Sequence, residues 1–294
     1  MSMNRNGRNI AVPSVSSRVA TVVLLESRLL SRSVTNWVLT AGVLSLVVGP
    51  IWRVLGSDIG SERVTPFLVL ESGQSATARY WLETADLLVL LLPLIAFLYG
   101  YEAFPKERER GTLFILGSAP LTRRDVLIAK VAARVAWLAA AIGLGVLLSG
   151  IGLILLVGGF DPVGHLLAGL ITIIFAGGLL TVGSSLSVYC STRWACLTGI
   201  VFGYLGLEFA GALLLSRVSS LVVIHPFQAY VTLIAAPFDT MYPSLTASLS
   251  DGSVTEYSFG PFFTPSLALP VLVGWICGPV VLGHRRFRRE VIGA

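Results

Sequence analysis

Three histidines, three cysteines, two lysines and a run of small hydroxyl residues are where this chain could carry chemistry of its own. His165, His225 and His284 lie far apart, and no HExxH sets two imidazoles on one helix face for zinc. Cys190, Cys196 and Cys277 form no CxxC, which leaves free membrane thiols as the plain reading. Gly183-Ser184-Ser185-Leu186-Ser187 is not a GxSxG elbow and has no obvious histidine partner; small residues packing helices together account for it better. Lys106 and Lys130 are the only lysines and neither follows glycine, so neither GxxxxGKS nor GxxxxGKT occurs and the chain has no P-loop for ATP. The expectation is therefore no catalytic residue, no metal ligand and no cofactor held by this chain.

Two features survive that sorting. Glu208 stands inside an apolar run, where an ionisable side chain is costly and often functional. A hydrogen bond to a neighbouring helix, or a protonated carboxyl near the outer leaflet, would explain it as well as a place in a translocation pathway. Glu102, close to the inner interface, reads as an ordinary interfacial carboxylate. The second feature is the stretch that begins Lys106-Glu107-Arg108-Glu109-Arg110-Gly111-Thr112-Leu113-Phe114 and, past Ser118-Ala119-Pro120, continues to Arg123, Arg124 and Lys130. Its apolar run, 113–116, is too short to span a bilayer. Thr122 followed by Asp125 offers a start like a capping box. The expected shape is a short helix, a turn at Ser118-Ala119-Pro120, and a second helix running into the next span. A solvated charge run that merely orients the protein is the alternative. It leaves Gly111, Pro120 and the interrupted helices without a reason.

The elements that must position these residues belong to a membrane. Of the residues 54% are hydrophobic and 13% charged, with a mean hydropathy of +0.81, whereas soluble domains carry about 25% charge. Six runs, 34–55, 87–104, 131–157, 163–189, 195–215 and 266–282, read as transmembrane helices, because a bilayer core of about 30 Å needs roughly 17–25 apolar residues. Residues 1–33 lack the shape of a secretory signal and are expected as a cytoplasmic start followed by a helix along the inner surface. On a helical wheel Arg18, Thr21, Arg28 and Arg32 share one side and Val19, Val22, Val23 and Leu30 face elsewhere, while Leu25 and Glu26 break the pattern. Residues 56–86 form an acidic loop expected outside, and 283–294 a basic tail.

Residues 221–236 are apolar enough to suggest a seventh crossing, but His225-Pro226 and Gln228 interrupt them. They are read as a re-entrant outer segment, which is tolerable where protein buries its backbone. With six spans, seventeen Lys and Arg fall inside against Arg53, Arg63, Arg79 and Arg217 near the outer side, which puts both termini and the loop 105–130 in the cytoplasm. The net charge of +5 thus reflects membrane orientation, and basic residues lying beside spans do not suit a nucleic-acid binder. The fold class expected is an all-α polytopic bundle, one membrane domain over 1–294.

The loop resembles the coupling region of ABC transporter permeases of the type-2 exporter family. That family carries an acidic-basic pair followed by Gly-Thr-Leu, then a proline, a basic residue and a lysine leading into the third span. Glu109, Arg110, Gly111, Thr112, Leu113, Pro120, Arg123 and Lys130 stand at those positions here, with Glu107 just ahead of them. The surface helix, the six spans, the long first outer loop and the re-entrant connection extend the resemblance over most of the chain. Phe114 departs from it, since many relatives carry glutamate there. The resemblance implies a plasma-membrane permease that is not itself an enzyme and pairs with a second permease subunit. It implies too a separate P-loop ATPase that binds ATP and Mg, and export of a substrate it does not name. The competing reading is a secondary, ion- or proton-coupled transporter using Glu208. The absence of an evident repeat between the two halves weighs against it.

Overall fold

The computed structural model describes residues 15–56, 63–64, 69–70, 75–101, 105, 123–157, 159–190, 192–217, 224–238, 245–248, 254–257 and 264–289. Helix α1 (Val15–Ser31) buries Val22, Glu26 and Leu30, three positions spaced by four, against the helix that follows residue 122. Thr21, Arg28 and Arg32 are exposed on its other side. The chain then turns sharply into α2 (Val34–Val48). Asn36 Nδ2 donates to the Leu30 carbonyl (3.1 Å) and Trp37 Nε1 to the Ser31 carbonyl (2.8 Å), so two side chains of α2 fasten it to the end of α1.

Pro50 opens α3 (Pro50–Leu55), where its missing N–H costs nothing, and Gly49 keeps helical backbone angles between the two pieces. Together α2 and α3 make one apolar stretch, Val34–Leu55. Two short antiparallel strands, β1 (Arg63–Val64) and β2 (Val69–Leu70), follow in the segment read as an outer loop. Helix α4 (Ala76–Tyr101) starts at Ala76 rather than at Leu87. Its first turns carry Arg79, Glu83 and Asp86, which hydropathy assigns to a loop but which are buried. Arg79 and Glu83 sit one turn apart with Nε and Oε1 3.6 Å from each other, the spacing at which opposite charges on a helix meet.

Helix α5 (Arg123–Leu156) is unbroken over 34 residues, about 50 Å at 1.5 Å per residue and hence well beyond a bilayer core. Its extra length lies at its N-terminal end. Helix α6 (Pro162–Ser187) is capped by Asp161, whose side chain accepts from the N–H groups of Val163 and Gly164, each at 3.1 Å. Helix α7 (Arg193–Arg217) and the ten-residue α8 (Pro226–Ala235) follow. Every residue of α8 is buried, against α4, α6 and the last helix, α9 (Pro265–Arg289). Ahead of α9 lies a second hairpin, β3 (Leu245–Ser248) paired with β4 (Val254–Tyr257), so the all-helical expectation needs two small hairpins added to it.

Among the described residues four helical stretches are long and apolar enough to cross a membrane, Val34–Leu55, Ala76–Tyr101, Asp125–Leu156 and Pro162–Ser187, and Pro265–Pro279 is a shorter apolar one. The distribution of polarity agrees with that environment. Leu144, Leu147, Leu148, Ile151, Ile154 and Leu155 form an exposed stripe along α5, with Leu155 75% exposed, while charged groups are gathered inside. Lipid, not water, solvates such a surface. The tightest helix pair is α4 on α6. A Cβ on Gly100 would lie 2.7 Å from the Ser184 backbone nitrogen, and one on Gly183 3.1 Å from Phe97 Cα. Only glycine permits backbones this close. Of the glycines picked out in the third and fourth spans, Gly145 faces Val47 and Gly152 faces Ile51, whereas Gly143 has nothing within 4 Å.

Candidate coupling site

The sequence-assigned loop 105–130 runs from the end of α4 into the first turns of α5, and one ionic cluster joins these two helices. Lys130 and Arg134, one turn apart on α5, both reach Glu26 of α1. Lys130 Nζ lies 3.3 Å from Oε2, and Arg134 Nη2 2.9 Å from Oε1. The second guanidinium nitrogen of Arg134 donates to the backbone carbonyl of Tyr99, in the last turn of α4. All three charged side chains are buried, Glu26 being 6% exposed.

A carboxylate in such surroundings is stable only if cations offset the loss of water. Burial by itself would raise the Glu26 carboxyl; the charges of Lys130 and Arg134 and their hydrogen bonds outweigh it and hold the group below its ordinary value of 4.5. Glu26 is thus a carboxylate at neutral pH. The glutamate that spoils the amphipathic pattern of α1 is the residue that fastens the helix to α5.

Beside the cluster a neutral network ties in α2. Trp137 Nε1 of α5 donates to Thr40 Oγ1 of α2 (3.0 Å), and Thr40 Oγ1 lies 2.7 Å from the Tyr99 hydroxyl. Trp37 and Trp137 meet edge to face at 5.5 Å between centroids. Charges and hydrogen bonds therefore join α1, α2, α4 and α5 on both sides of the loop.

Of the residues assigned to coupling by sequence, Glu107, Glu109, Arg110, Gly111, Thr112, Leu113 and Pro120 lie outside the described residues, as do Phe114 and Thr122. Arg123 is the first residue of α5, and Asp125 lies in its first turn, where a negative charge complements the helix dipole. Lys130 is in the cluster. Glu26 and Arg134 were not singled out as site residues; the available signal was a glutamate on an apolar helix face and a second basic residue one turn after Lys130.

The other sequence candidate, Glu208, is not part of this cluster. It lies about 22 Å along α7 from Arg193 at 1.5 Å per residue, half-buried, and its Oε1 accepts no hydrogen bond from a described residue. Tyr204, one turn earlier, donates to the Leu90 carbonyl of α4. His225 Nε2 lies 3.2 Å from the Leu207 carbonyl and must therefore carry the proton of that bond.

A second buried polar group lies at the other end of α4. Trp81 Nε1 donates to His165 Nδ1 (3.0 Å), and an indole can only donate, so Nδ1 is the bare nitrogen and Nε2 donates to the Val146 carbonyl (2.9 Å). Both nitrogens are thereby occupied within the protein, with Tyr80 and Phe160 packed against the ring. No group of three or more metal-ligating side chains occurs among the described residues. The arrangement holds helices together and offers no reacting atom.

The chain matches the family described as ABC-2 family transporter protein over residues 20–291, nearly its whole length, and it belongs to that family. No curated protein matches it. It is accordingly a multi-pass membrane protein and the membrane permease of an ABC transporter, in a family of transport subunits that work with an ABC ATPase and are generally not catalytic themselves.

Proposed function

We propose that this permease is an exporter subunit driven by a separate P-loop ATPase that docks on the cytoplasmic loop 105–130. The observation that carries the reading is the cluster of Glu26, Lys130 and Arg134 with the Tyr99 carbonyl, because it ties both ends of that loop to each other and to α1. A force applied to the loop reaches the ends of α4 and α5 together. Glu107, Glu109, Arg110, Gly111, Thr112, Leu113, Pro120 and Arg123 are the residues that would meet the ATPase, and Lys130 passes the displacement inward. ATP and Mg belong to the partner, and the permease completes its pathway with a second permease subunit.

In this reading the chain crosses the plasma membrane six times, with α7 and α9 as the fifth and sixth spans and both termini in the cytoplasm. Helix α8 is then the re-entrant segment; at about 15 Å it is too short to cross, and its burial suits a backbone that dips into the bilayer and returns. Glu208 is a candidate for the pathway. A secondary transporter built on Glu208 is less well supported, since the family membership and the inner cluster both speak for an ATP-driven design.

Isolation of the tagged permease from its native membrane tests the coupling assignment. A P-loop ATPase should accompany the wild-type chain and be lost from a double variant, Glu109→Lys with Arg110→Glu, that still inserts and folds. Equal amounts of ATPase on both would refute the docking site.

A further inference from the structure

A cavity of about 400 Å³ lies between α4, α6, α7, the start of α8 and α9, with Phe97, Phe175, Leu207, Trp275 and Ile276 among its walls. We infer that it is a binding site for one hydrocarbon chain of a bilayer lipid. An apolar cavity of about 150 Å³ already suffices to hold benzene, so this one is roomy enough for a longer apolar group.

The lining decides what can enter. Its two polar side-chain groups are committed elsewhere: the Tyr204 hydroxyl donates to the Leu90 carbonyl, and Trp275 Nε1 donates to the Ile224 carbonyl at 2.9 Å. A water molecule needs roughly two to four polar partners, and these walls offer none. Charged ligands are disfavoured for the same reason. Glu208, one turn beyond Tyr204, is not among the lining residues. An apolar occupant, by contrast, regains the dispersion contacts that the walls otherwise lack.

The mouth identifies the source. Leu186, Gly203, Gly206 and Trp275 both line the cavity and are exposed, so it opens at the surface of α7 and α9. That surface carries the exposed Phe202, Leu205, Leu269 and Val273, an exterior that only lipid tails solvate well. The cavity is continuous with the bilayer. It owes its depth to α7, where Gly203 and Gly206 stand and a Cβ on either would meet nothing within 4 Å.

The test uses the full-length permease alone, in vesicles of phosphatidylcholine of which a fraction carries a photoreactive diazirine midway along one acyl chain. After irradiation, adducts are mapped by mass spectrometry. Adducts are expected on the lining peptides around Phe175 and Leu207 as well as on Leu147 and Leu155, which report ordinary bilayer contact. Gly203→Leu and Gly206→Leu fill the space from a position without close neighbours, and each should lower the lining adducts several-fold while the Leu147 and Leu155 adducts persist. If one variant fails to fold, as judged by gel filtration, the other decides. Labelling of the lining unaltered by the filling variants would overturn the proposal, as would no lining adduct in wild type. So would lining adducts from a photoreactive free fatty acid but not from the phospholipid, or cross-links from the lining to a second permease copy in place of lipid. No ATPase enters this experiment, so its outcome is independent of the coupling assignment.

Discussion

Where α1, α4 and α5 meet, charged side chains separated by 104 and 108 positions in sequence are drawn together and buried, whereas α7 borders an apolar cavity, with no neighbour close to Gly203 or Gly206. The two regions differ in what separation costs. Pulling Glu26 from Lys130 and Arg134 strands charges out of water, a penalty of several kcal/mol. Sliding α7 past α4 gives up the hydrogen bond of Tyr204 to the Leu90 carbonyl and otherwise exchanges one hydrocarbon contact for another, because lipid tails are as apolar as leucine. The first region is suited to carry force and the second to yield to it.

The largest expected effect comes from removing the charge that the inner region is built around. Glu26→Ala removes the buried carboxylate that Lys130 and Arg134 share and should destabilise the permease by about 3–5 kcal/mol, seen as a lower thermal midpoint in detergent. Stability equal to wild type would mean that water reaches the cluster, and the contrast between the two regions would fall.

A matched pair of glycine substitutions sets the close α4–α6 contact beside Tyr99 against α7. Gly100→Ala puts a methyl group 2.7 Å from the backbone of Ser184, which cannot rotate away, so it should cost about 1–3 kcal/mol. Gly203→Ala meets nothing within 4 Å and should be neutral or stabilise α7 by up to about 1 kcal/mol. Opposite signs in thermal melts sharpen the comparison; equal losses break it.

The inner cluster should also be sensitive to acid. Because the folded protein holds the Glu26 carboxyl below its ordinary value of 4.5, the stabilisation is complete above that value and is lost as pH falls through the depressed one. Melts at decreasing pH should show a loss in wild type that is smaller in Glu26→Gln, which has no carboxyl to protonate. The smallest loss of stability is expected for Trp137→Phe, which keeps most of the ring and gives up one hydrogen bond to Thr40, about 0.5–1.5 kcal/mol.

How much of this was legible beforehand depends on the range of each interaction. Runs of apolar residues announce the long helices because hydropathy is a local sum, and the polar side of α1 was legible in Thr21 and Arg28, both exposed. The start of α4 was misplaced because Arg79, Glu83 and Asp86 each count against a span. Their placement one turn apart, which lets Arg79 and Glu83 neutralise each other, is invisible to an average. Glu26 stood out as an exception on α1, but nothing near it in sequence names partners on α5. Lys130 was chosen for its place in a motif, and its contact with α1 emerges only from packing. The apolar cavity has even less local signal, since five helices and two glycines of α7 define it jointly.

The central claim is that α1, α4 and α5 move as one body when the loop between α4 and α5 is driven, and a pair of distances tests it most directly. Spin labels at Leu24 on α1 and Ile128 on α5, both exposed, report the inner body; labels at Ile128 and Phe202 report α7 against it. In the permease–ATPase complex in nanodiscs, trapping with ATP and vanadate should leave the Leu24–Ile128 distance unchanged and shift the Ile128–Phe202 distance. In Glu26→Gln the Leu24–Ile128 distribution should broaden. A Leu24–Ile128 distance that shifts in wild type, or one whose width is indifferent to Glu26→Gln, would contradict the account.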